Sequence, residues 1–196
     1  MKPAAFPEEV LQLRIEVRDV VPSIFRVVQV TSTRTFHLLH EIIQWSFEWD
    51  ATHLYEFVVG PVRVAEPDSE FPEPEPPLHP RTTRLGDLVT KDITRFMYKY
   101  DFGDDWIHDI VVEKRLPPDP AVRYPVCLAG ARAAPPEDCG GHPGYKDFLE
   151  AWRDPRHREH AHVRSWAGPR YDPERFDLKL VNDILKMFRA PPPKRR

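Results

Sequence analysis

Proline falls in blocks along this chain, and that constrains the fold more than any other feature. Of 196 residues, 23 are proline, more than twice the usual share of about 5%. Seven lie from Pro61 to Pro80, seven from Pro117 to Pro143, and three at Pro191 to Pro193. Proline lacks a backbone N–H and restricts the residue before it, so no helix interior or central strand runs through such a block. Regular structure must be built in the windows between.

Those windows carry clear periodicities. Leu11 to Asp19 alternates Leu11, Leu13, Ile15 and Val17 with Gln12, Arg14, Glu16 and Arg18, the pattern of a half-buried strand. Ile24 to Val30 follows a Val21-Pro22-Ser23 break and pairs with it as a hairpin. From Thr35 the period changes: Phe36, Leu39, Ile43 and Phe47 recur at helical spacing. His53 to Gly60 returns to strand composition, and Thr83 to Val89 reads as one helical turn. Ile93 to Asp101 and Trp106 to Lys114 are two strands joined by Phe102-Gly103-Asp104-Asp105. Phe96, Tyr98, Tyr100 and Phe102 share a face of the first. Apolar residues on both faces of the second predict a central strand covered on both sides. Tyr145, Phe148, Leu149 and Trp152 form a short helix started by Pro143. Asp172-Pro173 starts a last one, with Phe176, Leu180, Ile184 and Phe188 on its face. The expectation is a single α+β domain over 1–196: a mainly antiparallel sheet of about five strands with helices packed on it. Long Pro-rich loops interrupt it. Residues 61–82, acidic with little to bury, are expected to be a flexible loop, 116–143 an irregular but packing stretch, and 190–196 a disordered tail.

Charge and composition exclude several function classes. Lys and Arg number 28 against 31 Asp and Glu, a net charge of −3. Nucleic acid is a possible partner, but that balance does not support it, because non-specific binding needs a strong positive field. No apolar run approaches the roughly 18 residues of a membrane span, so no membrane association is expected. Met1 to Pro7 holds no apolar block of the secretory kind. Two cysteines, Cys127 and Cys139, are too few for a disulfide framework, and a cytoplasmic location is expected. Phosphate-cradling glycine loops, GxSxG, HExxH and paired CxxC are absent.

Chemistry concentrates in two patches. In the first, Asp101, Asp104, Asp105 and His108 fall around a tight turn. Such carboxylates can hold a divalent cation, and the imidazole can act as ligand or general base; Asp and Gly are equally turn formers whose side chains bond the local backbone. In the second, Glu137, Asp138, Cys139, Gly140, Gly141 and His142 precede a helix. There the glycines permit close backbone approach, and the helix start favours an anion or an acidified Cys139 thiol; the same residues also make a shaped, self-capping connection. His53, at the opening of its strand, converges with Asp104, Asp105 and His108 if that strand lies beside Trp106 to Lys114. Arg153, Arg156, His157, Arg158, His160, His162 and Arg164 form a basic run, read either as a solvated face or as an electrostatic dock.

The runs YDFGDDWIHDIVVE (100–113) and CLAGARAAPPEDCGGHPGYKDFL (127–149), with LRIEVRDVVPSIFRVVQV and HLLHEIIQWSFEWDATHLYEF upstream, resemble the plasmid pRiA4b ORF-3-like family from about Leu11 to Phe188. The resemblance implies an α+β fold and an association with plasmids and insertion-sequence passenger genes, with no known activity. It also implies a further cysteine just before PPED, where this chain has Ala134, which weakens a cysteine-metal reading.

The expected function is a non-enzymatic interaction module of plasmid or transposable-element biology, with a protein partner and room for a homodimer. The alternative is a metal-dependent hydrolase or nuclease using Asp101, Asp104, Asp105, His108, His53 and Glu137, with Asp104, His108 and Cys139 as candidate ligands of a divalent metal. A third reading is an anion pocket at Gly140-Gly141. All depend on the two patches meeting in space.

Overall fold

The computed structural model describes residues 8–67 and 74–189. In chain order it runs β1 (Val10–Val17), β2 (Phe25–Thr31), α1 (Phe36–Phe47), β3 (Tyr55–Val59), β4 (Val62–Ala65), α2 (Leu85–Leu88), β5 (Arg95–Tyr100), β6 (Trp106–Leu116), β7 (Val126–Ala131), α3 (Gly141–Arg153), α4 (His160–Trp166) and α5 (Leu178–Leu185). The strands form one seven-stranded sheet in the order β4-β3-β5-β6-β1-β2-β7, and every named pair is antiparallel. The architecture is α+β.

The alternation in β1 puts Leu11, Leu13, Ile15 and Val17 into the core. Its partners do the same with Val28 and Val30 on β2 and Trp106 and Ile110 on β6, and so does the next strand, β5, with Phe96, Tyr98 and Tyr100. The helices cover this face. Thr35 caps α1 by accepting the Leu38 N–H at 3.2 Å. Phe36 then meets Phe57 and Phe96 edge-on, and further along Phe47 reaches β6. On α3, Tyr145 meets Trp106. Arg26 is fully buried between the rings of Phe47 and Phe176, donating to the carbonyls of Ser46 and Ala131. Burial lowers its pKa to about 10, so it stays charged.

Several expectations need correction. The sheet has seven strands rather than about five. The two extra strands border the proline blocks and are the two edges. β4 fits between Pro61 and Pro67, inside the span read as loop, and β7 follows Pro125 in the stretch read as irregular. Edge positions tolerate nearby proline because one side of the strand needs no ladder bonds. Neither edge is bare. Leu78 exchanges backbone bonds with Ala65 and Arg63 along β4. The Asn182 side chain on α5 takes both the N–H and the carbonyl of Cys127. Of the span 61–82, residues 68–73 lie outside the described residues, as does the expected tail 190–196. β6 is central, but only one of its faces is covered: Asp109 is exposed and Ile107 and Val111 are half-buried. Phe102 is 49% exposed in the turn rather than on the strand face. α3 begins at Gly141, before Pro143. The last helix starts at Leu178 under an Asp177 cap and buries Val181 and Leu185, while Leu180 faces outward.

Candidate functional site

β5 ends at Tyr100, and the next residue turns sharply. Asp101 sits at φ 54°, its carbonyl accepts the Asp105 N–H at 2.7 Å, and its Oδ1 accepts the N–H of Gly103 at 2.9 Å. These bonds fix the buried carboxylate and leave Oδ2 facing His53 Nε2 at 3.8 Å. His53 arrives there because β3 pairs with β5 in a register that sets Tyr55 opposite Tyr100.

The PPED segment comes from the far side of the sequence. Trp49 Nε1 donates to the Pro135 carbonyl at 2.8 Å, anchoring the segment against the end of α1. Glu137 Oε1 accepts the Asp50 N–H at 2.9 Å and the Tyr100 hydroxyl at 3.1 Å. Burial, and then the charge of Glu137, push the Tyr100 phenol up, so it remains a proton donor. Glu137 Oε2 and Asp138 Oδ1 each lie 3.3 Å from His53 Nε2. One imidazole nitrogen thus faces three carboxylates drawn from two segments. One ligand atom each from His53, Asp101 and Asp138 falls within a 4.8 Å group, a size that suits one cation. Asp138 is exposed, so the cluster opens to water on that side.

A latch joins the two segments. Asp104 Oδ2 accepts the Gly140 N–H at 3.1 Å. A Cβ on Gly141, which sits at φ +65°, would meet the Asp104 carbonyl oxygen at 2.3 Å. Only glycine permits that approach. This carboxylate takes the Gly140 N–H, one of the amides of the anion pocket expected at the start of α3.

The structure therefore brings together His53, Asp101, Glu137 and Asp138, with Asp104, Gly140 and Gly141 as the latch behind them. Three candidates stand apart. Asp105 turns outward to Lys99 Nζ at 2.6 Å. Burial, aided by Asp104, pushes the Cys139 thiol up to about 12, the reverse of the expected acidification, so it is a protonated thiol and a poor ligand. His108 is fully buried among Phe47, Trp49 and Tyr98. The stacked rings of Trp49 and Tyr100 lie between it and His53. Burial lowers its pKa to about 4, against smaller opposing pulls from the Trp106 and Tyr98 backbone. It is a neutral core residue, not a ligand. Tyr100 and Trp49 were not singled out from the sequence as site residues; a phenol on the buried face of a strand that ends in Asp101 was the signal for the first. The basic run is largely neutralised locally: Arg153 pairs with Glu174, Arg156 with Asp154 and Arg158 with Glu159, and Arg164 lies over Trp152.

Beside the cluster lies a cleft of about 820 Å³, walled by the end of α1, the PPED segment and residues 166–172, with Glu137 and Asp138 on its lining.

A family model described as plasmid pRiA4b ORF-3-like protein matches residues 9–180. The chain is 36% identical over 178 residues to the uncharacterized protein y4hQ of Sinorhizobium fredii (strain NBRC 101917 / NGR234), covering 90% of each chain. The crystal structure of a protein of unknown function, MM3350 from Methanosarcina mazei Go1, superposes with a TM-score of 0.81 at 36% identity, covering 90% of this chain and 98% of that one.

Proposed function

We propose that this chain, which belongs to the plasmid pRiA4b ORF-3-like protein family, holds a divalent cation on His53, Asp101 and Asp138 and works as a metal-dependent hydrolase. One observation carries the reading: three carboxylates from segments far apart in sequence converge on a single imidazole nitrogen. Imidazole with carboxylate oxygens suits a cation such as Mn²⁺ or Zn²⁺. Bound there, a cation supplies a water of lowered pKa and a Lewis acid. Glu137, oriented by Tyr100 and the Asp50 N–H, is the base that takes the proton of that water. Calorimetry with Mn²⁺ on the purified protein tests the cation site. One equivalent is expected, with affinity at least tenfold weaker in His53→Ala at an unchanged circular dichroism spectrum. No binding at millimolar Mn²⁺ would leave a cluster of carboxylates around His53 without a metal and end the reading.

A second reading keeps the same surface but not the chemistry: an interaction module of plasmid or transposable-element biology, acting on a protein partner or as a homodimer in the cytoplasm. It is favoured by exposed apolar side chains flanking the cluster, Leu54 at 65%, Phe102 at 49% and Trp166 at 45%. The two free cysteines suit a reducing compartment. Sedimentation analysis distinguishes a stable dimer from a monomer.

A further inference from the structure

The cleft beside the cluster gathers negative charge. Glu48, Asp50, Glu137, Asp138 and Asp172 line it, against Arg170 and Arg175. Two arginines less five acids leave a formal −3, equal to the charge of the entire chain, so the rest of the molecule is close to neutral. Arg175 is itself turned to Asp177 at 3.2 Å. Among the described residues the Glu48 and Asp50 side chains make no ion pair and no hydrogen bond; Asp50 is engaged only through its backbone N–H, by Glu137. Trp166, 45% exposed, stands on the same wall. Free carboxylates beside an exposed indole suit Lys and Arg side chains, which pair with the first and stack on the second.

We propose that the cleft is the docking site of the chain's own basic tail, Lys194, Arg195 and Arg196. The inference goes beyond the cation reading and does not need it. Two observations carry it, charge and reach. α5 forms one wall of the cleft through Leu180 and Ile184, and the described chain ends at Arg189, just past that helix. The acids on and before α5 are already taken, Asp183 by Lys179 and Lys186 and Asp177 by Arg175, so the helix offers the tail no free carboxylate and the cleft does. Arg34, before α1, donates to the Phe188 carbonyl at 3.4 Å. Glu48 lies at the other end of that 12-residue helix, about 18 Å away at a rise of about 1.5 Å per residue. The seven residues 190–196 span at most about 23 Å. The cations therefore reach the cleft and little beyond it. Three of those residues are proline and donate no backbone hydrogen bond, so docking rests on side-chain charge and weakens with salt. A partner or substrate entering the cleft has to displace the tail.

The test follows the indole N–H signals of the full chain by nitrogen-15 NMR without Mn²⁺, comparing the parent with a variant carrying Lys194→Gln, Arg195→Gln and Arg196→Gln together. The Trp166 signal is expected to move by more than its linewidth while those of Trp45, Trp106 and Trp152 stay in place. The difference should shrink at least twofold between about 0.05 M and about 0.5 M salt. In a chain already carrying Glu48→Gln and Asp50→Asn, the same tail change should move Trp166 less than half as far. A Trp166 signal that ignores the tail change, or moves equally in both backgrounds, overturns the inference. So does a shift that grows with protein concentration, which would give the cleft to the tail of another copy. Either result leaves the cation reading to calorimetry.

Discussion

Asp104 shows how little a side chain's chemistry says about its role until its neighbours are known. It is the same residue type as Asp101, three positions away, yet it bonds the Gly140 N–H and holds two segments together instead of facing His53. Its removal is therefore expected to loosen the proposed cation ligands more than the fold. Asp104→Ala should cost roughly 1–2 kcal/mol of stability, the scale of a charge-assisted bond to a partly exposed amide. It should lower Mn²⁺ affinity by about ten- to a hundredfold, as loss of an orienting partner does. Calorimetry and urea unfolding on the same preparation check both; equal Mn²⁺ affinity in variant and parent would show that the latch does not position Asp138.

At the scale of elements, the edges of the sheet are the places where the fold guards itself. β7 would expose a row of unpaired backbone groups, and Asn182 on α5 imitates a neighbouring strand by bonding both groups of Cys127. Asn182→Ala is expected to lose about 1 kcal/mol, which for a chain of this size lowers Tm by about 2–4 °C. The variant should also scatter more light as its concentration rises, because the freed edge can pair with another chain. Parent-like scattering at every concentration would mean that the helix body, not the amide, protects the edge.

Over the whole molecule, two core histidines contribute to the response to acid between pH 7 and pH 5. Burial, with His37 and Arg81 adding, lowers the pKa of His40 to about 3, and burial lowers that of His108 to about 4. In the unfolded chain both return to about 6.5. Below that value the unfolded state binds protons that the folded state does not, so stability rises with pH across this window. It is fully present above about pH 6.5 and is lost as pH falls towards 4 and then 3. Urea unfolding at pH 7 and pH 5 should differ by roughly 2–4 kcal/mol. His108→Leu should remove about half of that difference, since an apolar side chain in that aromatic site has nothing to protonate. An identical drop in the variant would place the acid sensitivity elsewhere.

Local pattern made the interior strands, α1 and the two polar patches readable, because alternation, helical spacing and turn residues act over a few neighbours. The same rules missed β4 and β7: each is short and beside proline, and is stabilised by Leu78 or Asn182 from elsewhere in the chain. The candidate residues could be named from chemistry alone, but His53 and His108 look alike in sequence. Sheet order and strand face decided that one meets carboxylates and the other rings. The meeting of Asp101 with Glu137 and Asp138 was decided only in three dimensions. It depends on contacts between residues dozens of positions apart, such as Trp49 with Pro135 and Tyr100 with Glu137, and no propensity reaches that far along a chain.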